Sequence, residues 1–245
     1  MIFNHEKFIN AVKSIHVKPE ESQSYESIPD SEVRKKLDEF INYGKNPRFS
    51  KALDEICKNL VGRTMFRVLM TKMQTEEKRM HIIPYEDNGS RYMEYVVYIN
   101  LSFYDASGTG IPSRQYYYID DEKHEIKTKL KSLAGSIFHE FCHGLHHVSE
   151  TYIPKKKNVL CLDDTPLGDV WNKDEELRTI TCFNNDPICD HCFDLCQSIL
   201  KKQSFRPRYS HGGWHGKDDS EKRSCLLLHL PHSQEFMDGW REYMI

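Results

Sequence analysis

Apolar positions recur at steps of three and four over residues 31–44 and 47–74, and this spacing predicts two helical stretches broken at Gly44 and Pro47. Leu53, Ile56, Leu60, Met65, Val68 and Leu69 are the inward-facing positions. Ahead of them, residues 4–17 predict a short helix, and the polar run 18–31 reads as a linker or mobile segment. Three strand-like runs follow at 80–85, 92–101 and 115–119, rich in Tyr, Val and Ile. Asp87-Asn88-Gly89 carries a hairpin signal between the first two. Residues 125–148 then read as one amphipathic helix, with Ile126, Leu130, Leu133, Ile137, Phe141, Leu145 and Val148 along a single stripe. Residues 149–173 form a long connection of the kind that binds substrate, and 226–245 a last strand or helix. Helices flanking a run of short strands make the class α+β. No internal repeat is present.

The last predicted helix carries chemistry. His139-Glu140-Phe141-Cys142-His143 is an H-E-x-x-H pattern. Residues four apart share a helix face, so His139 and His143 can offer two imidazoles to one Zn2+, with Glu140 beside them to reach an activated water. At 100° per residue His139 lies about 160° around the helix from Phe141, which turns both histidines away from the apolar stripe and towards a cleft. A third ligand must come from elsewhere. The pattern that would supply a third histidine fails, because position 146 is His where it needs Gly and position 149 is Ser where it needs His. A downstream glutamate is the alternative, and Asp174-Glu175-Glu176-Leu177-Arg178-Thr179 is the candidate segment. Read alone, Glu175-Glu176 is better explained as the solvated start of a helix.

His139 to His147, followed by Glu175-Glu176-Leu177-Arg178-Thr179, resembles the NleD-like zinc metallopeptidases, bacterial effectors injected into host cells, and is similar in motif to the clostridial neurotoxin light chains. The resemblance is specific over residues 130–211. It implies a zincin-like fold, with a small mixed sheet beside the motif helix and additional N-terminal helices. It also implies Glu176 as the third zinc ligand, with Glu175, His146 and Thr179 in support around the ligands. Arg206, Tyr209 and His211 fit a short R-x-x-Y-x-H element in which Arg206 and Tyr209 would donate to the oxyanion of a tetrahedral intermediate. Gly62-Arg63-Thr64 resembles the N-terminal half of the same family. One departure is the cysteine-rich stretch after Thr179. In zincin folds a strand flanks the motif helix and peptide substrate adds to its edge; Tyr95–Leu101 is expected in that sheet and Gln115–Ile119 near the cleft. The implied activity is zinc endopeptidase action on a host cytosolic protein.

Composition narrows the frame. At 245 residues the chain holds one substantial domain, taken as 31–245, after an N-terminal segment 1–30 that is mobile or an export signal. The formal charge of −3 argues against a nucleic-acid binder held by phosphate contacts. No apolar run is long enough for a membrane span, and residues 1–15 lack the apolar core of a Sec signal, which leaves signal-peptide-independent export (type III or type IV) open. No dimer interface is evident, so a monomer is expected. The eight cysteines read as reduced. Cys189, Cys192 and Cys196 would share one helix face as small buried groups. The competing reading joins them with Cys182 in a structural zinc site, making the chain a zinc-binding interaction module without proteolytic activity. A zinc hydrolase of small molecules is a further alternative.

Overall fold

The computed structural model describes residues 28–87, 89–112, 115–119, 126–148, 179, 188 and 190–202. Within them the chain is mixed α and β, with a core of helices packed on a small sheet. The first helix, α1 (Asp30–Phe40), runs into a two-residue strand, β1 (Ile41–Asn42). The predicted helix over 47–74 is two helices, α2 (Pro47–Lys58) and α3 (Leu60–Glu76), separated by Asn59. Asn46 and Asn59 cap them, each side chain accepting from the backbone N–H two residues on. The junction is tight: a Cβ at Gly62 would stand 2.2 Å from the Ile56 carbonyl oxygen, so glycine is required by close approach. Arg67 and Arg63 both reach Asp30 and fix α1 on α3.

The strands follow as β2 (Met80–Pro84), β3 (Arg91–Met93) and β4 (Val96–Ile99). Their order is β1-β2-β4-β3, with β1, β2 and β4 parallel and β3 antiparallel to β4. The Asp87–Gly89 region therefore does not close a hairpin between the first two strands. The chain passes the slot of β4 to reach the far edge and returns through a two-residue turn at Glu94 and Tyr95, both at positive φ. The apolar pattern explains the order. Val97 and Ile99 are buried and claim the centre, whereas Arg91 and Met93 are exposed and suit an edge. The predicted strand 92–101 is thus split, although Tyr95–Leu101 does supply β4.

The predicted helix 125–148 is also two elements. Ile126–Leu130 is a strand, β6, paired antiparallel with β5 (Gln115–Ile119) in a separate two-stranded sheet. In Ile126-Lys127-Thr128-Lys129-Leu130 the apolar or β-branched residues alternate with lysines, and that period of two, with a partner strand available, prevails over the longer stripe. The helix proper, α4 (Leu133–Val148), starts where Ser132 accepts from the Gly135 N–H through its hydroxyl and from Ser136 through its carbonyl. It packs on α2, α3, β3 and β4 and on α5 (Asp190–Leu200). Gly144 allows the sheet to approach, since a Cβ there would stand 2.8 Å from Met80 and 3.1 Å from Tyr92. The expected helix 4–17 and the final element 226–245 lie outside the described residues, as do the 149–173 connection, most of the proposed 1–30 segment and the 18–27 part of the linker.

Candidate metal centre

α4 is buried nearly all round: Ile137, Phe138, Phe141, Cys142 and Leu145 are in the core, and His139 and Glu140 are each only 5% exposed. The histidine face is therefore not the wall of an open cleft, as the stripe geometry suggested; His143 alone of the three is partly buried. The helical spacing does bring the two rings together. Nε2 of His139 and Nε2 of His143 lie 3.1 Å apart, with the ring planes at 87°. With metal–nitrogen bonds of 2.0–2.1 Å, that separation subtends an angle of about 100° at a shared ion, near tetrahedral. Ligand atoms of His139, Glu140 and His143 all lie within 4.8 Å of one another, and they are the group among the described residues able to hold a metal ion. Two imidazoles at this spacing, with the Glu140 carboxylate beside them, suit a borderline cation such as zinc.

Around this group the chain supplies a second layer. Nδ1 of His139 lies 3.1 Å from Oδ2 of Asp190, both side chains being more than nine-tenths buried. Oγ1 of Thr179, itself fully buried, stands 3.5 Å from Nδ1 of His143 and 3.5 Å from Nδ1 of His146, at the outer limit of a hydrogen bond. His146 is buried, so it faces inward as a partner of Thr179. His147 turns to the sheet, where the Tyr92 hydroxyl meets its Nδ1 at 2.8 Å and the Tyr95 ring lies against it. Tyr92 also accepts from the Tyr95 N–H, and Tyr95 donates to Glu76, which anchors the strained turn to α3.

Asp190 carries no signal in the sequence that ties it to His139: it lies 51 residues downstream in a segment noticed only for its cysteines. Its position is set by packing. Phe193 stacks on Phe138 with centroids 4.4 Å apart, and the Asn59 side chain donates to the Phe193 carbonyl. The cysteines of the described residues sit as small packed groups. Cys192 is fully buried, and burial pushes the Cys57 and Cys196 thiols up to about 12. Glu175, Glu176, Arg206, Tyr209 and His211 lie outside the described residues, as do Cys182 and Cys189.

Compared with models of protein families, with curated proteins and with solved structures, the chain gives no match. No helix among the described residues is long and apolar enough to cross a membrane.

Proposed function

We propose that the chain is a zinc-dependent endopeptidase of zincin-like fold. The observation that carries this reading is the pair of imidazoles whose Nε2 atoms meet at 3.1 Å on a buried helix face, with the Glu140 carboxylate within 4.8 Å of them. His139, His143 and Glu176 are assigned as the ligands. Thr179, three residues after Glu176 in the sequence, stands 3.5 Å from Nδ1 of His143. Bound zinc supplies a Lewis acid that brings the pKa of a water towards ~7. Glu140 removes a proton from the attacking water and delivers it to the departing amine. Its burial beside the ligands favours that role, because a carboxylate screened from bulk solvent keeps the proton for the leaving group. Arg206 and Tyr209 donate to the developing oxyanion. On the motif resemblance, the substrate is a host cytosolic protein and the chain an effector delivered into host cells.

The test is cleavage in a host-cell lysate, wild type against Glu140→Gln, with new N-termini read by mass spectrometry and zinc content measured in both. The expectation is that the variant keeps its zinc and loses cleavage by about 10²- to 10⁴-fold, the usual contribution of a general base. Undiminished cleavage by Glu140→Gln would remove the assignment.

A further inference from the structure

Resting on that metal-centre reading, we infer that Asp190 is a positioning residue: it holds His139 in the tautomer that leaves Nε2 open to a metal. The argument starts from what each atom can do. An ionised carboxylate only accepts hydrogen bonds, so the 3.1 Å contact between Oδ2 and Nδ1 requires the proton on Nδ1. A neutral imidazole then carries its lone pair on Nε2, the atom that faces His143. Asp190 is the first residue of α5, an 11-residue helix, and a helix N-terminus favours the anionic carboxylate. Both partners are buried, so water competes weakly for the bond. Carboxylate partners of this kind raise the basicity of a ligating imidazole and fix the plane of its ring.

The position is enforced from two sides. The Phe138–Phe193 stack locks the ring one residue before His139 to the first turn of α5. Asn59 then ties the Phe193 carbonyl to the α2–α3 junction. The metal helix, the helix bearing Asp190 and the N-terminal helices are thereby held together.

The experiment reads the imidazole directly. In zinc-free wild-type protein, ¹⁵N–¹H correlation spectra of the histidine rings should show His139 as the Nδ1–H tautomer, assigned by loss of its signals in His139→Gln. Asp190→Asn can present an amide N–H to Nδ1 and should shift His139 towards the Nε2–H form. The same variant should weaken zinc binding, measured by chelator competition, by about 10- to 100-fold. Asp190→Glu, which restores the charge, should recover the Nδ1–H tautomer. An Nε2–H tautomer in the wild type overturns the inference and needs no variant to fold. So does a folded Asp190→Asn protein with unchanged tautomer and unchanged zinc affinity. If the wild type binds no zinc, the metallopeptidase reading falls, while the tautomer measurement still decides the role of Asp190.

Discussion

At the scale of single residues, the two partly covered thiols show how burial decides reactivity in this chain. An ordinary cysteine is about 3% thiolate at pH 7. For Cys57 and Cys196, desolvation raises the thiol to about 12, only partly offset by Arg34 and Arg63 at Cys57 and by the Val61 backbone and Arg63 at Cys196. Both are therefore protonated at neutral pH, which removes them as nucleophiles. The same shift has a consequence for stability. The folded pKa stands above the unfolded value of ~8.5, so between the two the folded chain binds more protons than the unfolded one. The contribution is intact below ~8.5 and is lost as pH rises towards about 12. The unfolding free energy from urea titration should fall between pH 8.5 and 10, by up to ~1.4 kcal/mol per pH unit for each thiol. Tyr95, also raised to about 12, joins only above its ordinary value of ~10. A variant with Cys57→Ala and Cys196→Ala should show a flatter profile over that window; an unchanged slope would assign the alkaline loss to other groups.

Among the elements, Asn59 does the most with one side chain. Its oxygen caps α3 by accepting from Val61 N–H, and its amide donates to the Phe193 carbonyl of α5, both at a position with no solvent exposure. Asn59→Ala removes a cap, worth about 1 kcal/mol, and strands a buried carbonyl, worth about 1–3 kcal/mol. The expected loss is about 2–4 kcal/mol by denaturant titration, and zinc affinity should drop with it because α5 carries Asp190. A loss below about 0.5 kcal/mol would mean that water replaces both bonds. Asn59 also marks what periodicity conveys and what it omits. The stripe through Leu53, Ile56, Met65 and Val68 announced helices correctly, since each of those residues is buried. It did not reveal the break, because a cap followed directly by apolar residues leaves the stripe almost unbroken. The motif helix shows the converse: Ile126 and Leu130 fit a helical step of four and a strand step of two equally well, and only the partner strand Gln115–Ile119 decides between them. The sheet order was similarly hidden. It depends on burial competition between Val97, Ile99 and the exposed Arg91 and Met93, which local turn signals do not encode.

For the whole molecule, the proposed reading turns on whether the chain holds one metal ion, and on which residues. His139, Glu140 and His143 were legible because a fixed helical spacing creates their geometry; Asp190 was not, because its contact depends on how α5 docks 51 residues later. On the proposed reading, a ligand that binds the folded chain alone stabilises it, and with it the packing of α4 on α5. With zinc at a hundredfold excess over its dissociation constant the gain is about 2.7 kcal/mol, and removal by a chelator should lower Tm accordingly. The reading assigns one zinc per chain. His139→Ala and Glu176→Ala should lose it and also lose the chelator-sensitive part of Tm, whereas Glu175→Ala should retain both. Elemental analysis of the purified protein beside these variants separates the possibilities by count. Two zinc ions in the wild type, one of them surviving His139→Ala, would mean that the cysteines outside the described residues form a site of their own. Equal retention in Glu175→Ala and Glu176→Ala would move the third ligand elsewhere in the chain. One zinc, lost with His139 and with Glu176, is the result that makes the helix, its buried carboxylate and the downstream glutamate parts of a single centre.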